Sequence, residues 1–489
     1  MGILGGIING MRCFMKRLFV FSILIFLILT ACAQGNLPET ASSEAVSQES
    51  IEESSAPTDT ESSEESGIYL DIATELLPLF DSNGDAEYED KINDFLNFVY
   101  ENSGDEGFDI TPLYNIYLEI KRSGYYDGIW EKHTGNSLHV WRSLYLNEKS
   151  AIDNMRIISL GDTENAKETT ITFGGDVCFG DNYATMPYLI NRKDGILSKC
   201  IAQEWIDFMN DADIATLNNE FAISSRGEPM KHKAYTYLAK PEHTKYYNEM
   251  GIDFVTLANN HVYDFGEDAF FDTMSTLDEY GIDYAGAGKN ASDAQKPIYY
   301  IVNGRKIAFI SATRAEKNIL TPEATEEQSG VFRCYEPERL LEVIEETKRE
   351  SDFVILFVHW GTENSDKLER VQKSTSHQYV DAGADLIIGT HAHQLQGIEY
   401  YNGKAIFYNL GNFWFNAKNI ETGQVKLVLD GDLNTEYYFI PAMQSGCKVS
   451  YELGTARGRE ILDHISSYEP GDAVIEDDGH IIFKATEEE

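Results

Sequence analysis

Between residues 169 and 418, short apolar runs alternate with segments whose apolar positions recur every three or four residues. Short apolar runs bounded by polar clusters predict buried strands, and the three-and-four spacing predicts amphipathic helices. The predicted strands are 170–173, 214–217, 254–257, 354–358 and 386–388, with helices over 201–209, 270–277 and 340–344 between them. Such alternation means an α/β domain. Beyond residue 416, two further strands at 425–429 and 437–440 and a helix near 458–467 complete the same domain, because no linker intervenes.

Each of the five strands runs into a polar cluster: Gly175-Asp176, Asn218-Asn219-Glu220, Asn259-Asn260-His261, His359, and His391-Ala392-His393. Open α/β sheets bind ligands outside the carboxyl ends of their strands, so these clusters predict one shared site. A single His or Asp after a strand is more often a turn residue. Here every cluster supplies a metal-ligand type, and none supplies a glycine-rich phosphate loop or a serine nucleophile elbow. The pattern therefore predicts a metal site.

The front of the chain predicts export. Arg12, Lys16 and Arg17 precede the apolar run 18–29, which ends at Leu29-Thr30-Ala31-Cys32. The run has signal-peptide proportions and is too short for a comfortable spanning helix. The ending looks like a lipobox, with Cys32 as the lipidated residue, so residues 1–32 read as a lipoprotein signal peptide. From 33 to 67 the chain is rich in Ser and Glu and has no Lys or Arg. That composition predicts a disordered acidic tether. Residues 68–167 read as a mainly helical accessory region. Within it, Asp81-Ser82-Asn83-Gly84-Asp85 resembles a calcium loop, but Ala86 and Ile92 stand where the loop needs Gly and Glu. The net charge of −42 excludes a general electrostatic patch for nucleic acid. An acidic protein that handles an anionic substrate needs a local positive centre, and bound metal ions would supply one. The scattered cysteines form no disulfide framework; Cys200, Cys334 and Cys447 read as core or surface thiols.

The ordered motifs Gly175-Asp176, Asn218-Asn219-Glu220, Ala258-Asn259-Asn260-His261 with Asp264 and Gly266, His359-Trp360-Gly361 with Glu363, Gly389-Thr390-His391-Ala392-His393 and Asn409-Leu410-Gly411-Asn412-Phe413 resemble those of CapA-type capsule-synthesis proteins. That family is associated with poly-γ-glutamate capsule and is related to calcineurin-like metallophosphatases. The resemblance covers residues 169–418 and does not reach the helical region. It implies a four-layer αββα sandwich for residues 168–489. It also implies metal ligands at Asp176, Glu220, Asn260, His359, His391 and His393, holding one or two Mn, Fe or Zn ions. His261 would be a general acid or charge stabiliser, and Asp264 accompanies it as a catalytic candidate, although Asp264 with Gly266 reads more naturally as the cap and turn into the next helix. Asn259, Glu363 and Asn412 are substrate-binding candidates. Two positions depart from the pattern: Cys178 stands where metallophosphatases have a metal-binding His and reads as a small buried residue, and Asp181 stands where the family often has Arg. Trp360 and Phe413 read as packing residues. His232, His243 and His377 read as surface residues.

Three functions are compatible with these residues. The first is an exported lipoprotein on the outer face of the bacterial cytoplasmic membrane, serving capsule or poly-γ-glutamate synthesis or export through metal-dependent hydrolysis of a phosphoryl group or γ-glutamyl amide. The second is a non-catalytic scaffold that binds the anionic polymer or membrane proteins of the synthesis machinery. The third is a secreted metallophosphoesterase. Whether the site is catalytic is left open by the sequence, and none of the three uses nucleic acid as a partner.

Overall fold

The computed structural model describes residues 137, 139–140, 155–159, 168–316 and 320–484. The expected signal peptide and tether, and nearly all of the expected helical region, lie outside the described residues. One described part of that region, Met155–Ile157, is a strand that pairs in parallel with Ile298–Val302. The α/β body therefore recruits chain from before residue 168.

Two mixed sheets form the body. In the first, Thr169–Val177 (β1), Ile214–Asn219 (β2) and Phe254–Thr256 (β3) run parallel. Ile420–Leu429 and Thr435–Ser445 extend this sheet antiparallel on the other side of β1. In the second, Arg305–Thr313, Phe353–Trp360 (β4) and Leu386–His391 (β5) run parallel. Strand alternation shows how the layers meet. Along β4, Phe353, Ile355 and Phe357 join Ile171, Phe173 and Phe254 of the first sheet in one buried cluster. The intervening Val354, Leu356 and Val358 face the helices, packing with Leu340, Val343, Ile344 and Tyr379. On the outer face of the first sheet, Leu217 and Val255 pack with Trp205, Tyr247, Phe270 and Leu277. The result is helix, sheet, sheet, helix: the expected αββα sandwich, with period-2 strands buried on both faces.

Close approach at the site edge depends on glycine. A Cβ on Gly175 would lie 1.9 Å from the Gly411 carbonyl oxygen. Only glycine lets Asn412–Trp414 pair with β1, and that pairing sets Asn412 opposite Asp176.

Candidate metal centre

All six expected ligands converge at the carboxyl ends of the five strands. Asp176 lies in β1, Glu220 follows β2, Asn260 follows β3, His359 lies in β4, and His391 ends β5 with His393 just beyond. Donor atoms of Glu220, His359 and His391 lie within 4.8 Å of one another, as do those of Asp176, Glu220 and His393. Asn260 joins the first group, with its Oδ1 2.8 Å from His359 Nε2. Glu220 belongs to both groups and so stands where a bridging carboxylate would. His391 and His393 adopt left-handed backbone conformations, φ 94° and 54°. These are unusual for non-glycine residues and are concentrated at functional sites.

The donor set fits a cation. Both carboxylate oxygens of Glu220 and the Nδ1 of His391 are buried without a hydrogen-bond partner. Unpartnered buried polar atoms of this kind are costly, and a coordinated ion would satisfy all three. Burial, then the charges of Asp176 and Glu363, push the Glu220 carboxyl well above the usual carboxylate range. Burial and neighbouring imidazoles push His359 and His391 well down, which keeps them neutral, the form that ligates metal. Burial would also lower His393, but the hydrogen bond and charge of Asp176 hold it above its ordinary value. Carboxylate, amide and imidazole donors together suit a transition metal better than calcium.

A surrounding shell orients these donors. His359 Nδ1 is 2.8 Å from Thr390 Oγ1, which leaves its Nε2 toward Asn260 and, at 3.5 Å, Glu220. His393 Nδ1 lies 3.1 Å from Asp176 Oδ2 and 2.7 Å from Asn412 Oδ1. Asp176 can only accept, so Nδ1 carries the proton and Nε2 faces Glu220, 3.8 Å away. Asn218 donates from Nδ2 to Asp176 Oδ1 at 2.8 Å.

His261 is 5% exposed, and its Nδ1 lies 2.7 Å from Asp264 Oδ2. The reading of Asp264 as a helix cap is corrected: the N-cap of Gly266–Tyr280 is Phe265, with no side-chain cap. Asp264 instead accepts the Tyr237 N–H at 2.7 Å and pairs with Lys233 at 2.8 Å. Asn259 departs from the substrate-binding expectation. Its Nδ2 donates to Asn218 Oδ1 and the Asn219 carbonyl, and its Oδ1 accepts from the N–H groups of His261 and Val262. All its hydrogen-bonding capacity is spent holding the loop. Asn412 is buried against His393, whereas Glu363 is exposed beside the centre.

Cys178 is wholly buried in the core beside the first sheet, outside both donor groups, and burial pushes its thiol well up. Cys200, Cys334 and Cys447 are buried free thiols as well. His243 is only 6% exposed, not a surface residue, and its Nε2 lies 3.0 Å from Asp181. Trp360 and Phe413 are packed in the core. Sequence reasoning missed Lys233, whose side chain is 3% exposed and which also pairs with Glu316 at 2.7 Å and donates to the Asn260 carbonyl. It also missed a wall of aromatic rings, with Phe415 4.6 Å from His393 and Tyr237 4.5 Å from His261.

Residues 170–417, which carry the whole centre, match the family model for the bacterial capsule synthesis protein PGA_cap. The capsule biosynthesis protein CapA of Bacillus anthracis is 32% identical over 272 residues, 54% of this chain and 64% of that protein. The PGA biosynthesis protein CapA of Bacillus subtilis is 37% identical over 188 residues, 38% of this chain and 49% of that protein. The chain thus spans 64% and 49% of the length of these two relatives, less than two thirds of each. By the match over half its length, the chain belongs to the bacterial capsule synthesis protein family PGA_cap.

Proposed function

We propose that this protein is an exported lipoprotein, anchored through Cys32 to the outer face of the cytoplasmic membrane, that serves synthesis or export of an anionic surface polymer of the poly-γ-glutamate kind through hydrolytic chemistry at its metal centre. The observation that carries the reading is Glu220, a buried carboxylate with both oxygens unpartnered, set between two groups of metal-ligand side chains in a chain of this family. The names of the Bacillus relatives support the assignment to capsule or PGA biosynthesis.

Glu220, Asn260, His359 and His391 would hold one ion, and Asp176, Glu220 and His393 a second. Divalent transition metals held there supply Lewis-acid chemistry, polarising a phosphoryl or amide oxygen and screening an anionic substrate. The chain's own contribution is orientation and proton transfer. Asp264 accepts from His261 Nδ1 and fixes the ring, and because burial holds the imidazole below its ordinary value, Nε2 is the open proton-accepting atom: His261 would take a proton there from the attacking water and return it to the leaving group. Tyr237 and Lys233 hold Asp264 in turn.

The burial of Cys178 at a position where metallophosphatases have a ligand favours a second reading, a non-catalytic scaffold for the polymer or its synthesis machinery. The test is deletion of the gene in its own bacterium, with cell-surface γ-glutamyl polymer as the readout. Polymer should be lost and be restored by the intact gene but not by Glu220→Ala. Restoration by Glu220→Ala would sink the hydrolytic reading in favour of the scaffold, and unchanged polymer with loss of phosphoester turnover would point to a phosphoesterase. A second arm follows palmitate incorporation, which Cys32→Ser should abolish.

A further inference from the structure

The two ligand groups are unequal in number and in how far the protein already satisfies them. The group around His359 has four donors, Glu220, Asn260, His359 and His391; the orphaned oxygens of Glu220 are shared with the other group, but the orphaned Nδ1 of His391 belongs to this one alone. The group around His393 has three donors, Asp176, Glu220 and His393. Cys178 adds no fourth, because its sulfur lies outside the 4.8 Å cluster and its side chain is wholly buried in the helix-facing core. Asp176 is also occupied by the protein itself. Its Oδ1 accepts from Asn218 Nδ2 at 2.8 Å, and its Oδ2 accepts from the His391 N–H at 3.3 Å and lies 3.1 Å from His393 Nδ1.

We infer that this protein is an asymmetric metal binder: one transition-metal ion is held tightly by Glu220, Asn260, His359 and His391, and a second binds weakly, exchangeably, at Asp176, Glu220 and His393. Both sets relieve Glu220, but the four-donor set also relieves His391 Nδ1 and gives up one internal hydrogen bond, His359 Nε2 to Asn260 Oδ1, whereas the three-donor set has one donor fewer and competes with the several hydrogen bonds around Asp176. Loss of a single orienting hydrogen bond around a metal costs roughly 10–100-fold in affinity, so a missing donor should separate the two affinities by at least about 100-fold. The weak position would fill when an anionic substrate supplies further oxygen donors. This inference rests on the metal-centre reading above.

The experiment is calorimetric titration of the metal-stripped full-length protein with Mn²⁺ and with Zn²⁺, checked by elemental analysis after gel filtration. Wild type should retain one ion per chain. His393→Ala should keep that ion, His359→Ala should lose it, and Cys178→His should retain two. Two ions of equal affinity in wild type, or an ion kept by His359→Ala and lost by His393→Ala, would overturn the asymmetry while leaving a metal centre in place. No ion in any variant would remove the metal centre itself, and the inference with it. Should Cys178→His fail to fold, the two histidine variants still decide the order of affinities.

Discussion

Lys233 and Asp264 form a buried ion pair, Nζ to Oδ1 2.8 Å, with side-chain exposures of 3% and 0%. The same ammonium pairs with Glu316 at 2.7 Å and donates to the carbonyl of Asn260. One cation from a loop thus braces the His261–Asp264 pair, the backbone of Asn260 and the loop after Arg305–Thr313. Replacing it with Met leaves two acidic groups uncompensated, one of them wholly buried. Breaking a buried pair by removing one partner costs about 3–5 kcal/mol. Urea unfolding of Lys233→Met should show a loss of that order, and Lys233→Arg should recover part of it. A loss under 1 kcal/mol in the Met variant would mean the pair is not the brace described.

Glu220 should have opposite effects on stability with and without metal. In the metal-free protein its buried, unpartnered carboxylate is a liability, since burying an unpaired polar group costs roughly 1–3 kcal/mol. Glu220→Gln should therefore raise the thermal midpoint of the stripped protein. With metal at 100 times its dissociation constant, wild type gains about 2.7 kcal/mol by linkage, and the variant, lacking the shared ligand, gains far less. Differential scanning fluorimetry with and without Mn²⁺ should show the order of midpoints reverse. A variant less stable than wild type in both conditions would show that Glu220 has a protein partner.

What the sequence made legible was whatever depends on local order along the chain. Asp176, Glu220, Asn260, His359, His391 and His393 each sit at or just beyond a strand whose short apolar run is plain, so their convergence follows from the rule for strand ends. Other features depend on register and on loops from distant parts of the chain. Asn218 meets Asp176 because the two are paired across β1 and β2. His243 looked like a surface residue because its partner, Asp181, is 62 positions away. Lys233 lies among exposed neighbours, and only the folded loop carries its ammonium into the interior. Asp264 has the look of a helix cap, but the helix begins one turn position later and its side chain faces His261 instead.

Asp181 carries a pH dependence whose sign follows from its partners. Burial alone would raise its carboxyl, but hydrogen bonds from His243 and the Lys240 N–H, with the charge of Lys240, hold it below the usual value. A carboxyl depressed on folding stabilises the protein above its unfolded pKa, about 3.9, and that contribution disappears as pH falls through the lower folded value. With the side chain 33% exposed, the effect should not exceed about 1 kcal/mol. At about pH 5 wild type should have a higher thermal midpoint than Asp181→Asn, and the gap should begin to narrow near about pH 4 and close as pH falls below the depressed folded value. A gap that widened in acid would reverse the assigned direction.

Asn218 should control metal affinity without touching metal. Its Nδ2 donates to Asp176 Oδ1 at 2.8 Å, while its Oδ1 accepts from Thr256 Oγ1 at 2.8 Å and from Asn259 Nδ2 at 3.1 Å. One amide therefore ties the Asp176 carboxylate to β3 and to the loop that presents Asn260. Removing such an orienting partner typically costs roughly 10–100-fold in metal affinity. Asn218→Ala should lose that much in a chelator-competition titration, with its circular dichroism spectrum unchanged. Asn218→Asp keeps the shape but replaces the donor with an acceptor, which sets two carboxylates against each other at hydrogen-bonding distance. That repulsion twists Asp176 away from its bond or drives one carboxyl to hold a proton, and both outcomes weaken the Asp176 and His393 position more than the position at His359. Asn218 Nδ2 also lies 3.4 Å from His359 Nδ1, so equal loss at both positions would mean that Asn218 acts through His359 or through Asn259 and its loop and not chiefly through Asp176.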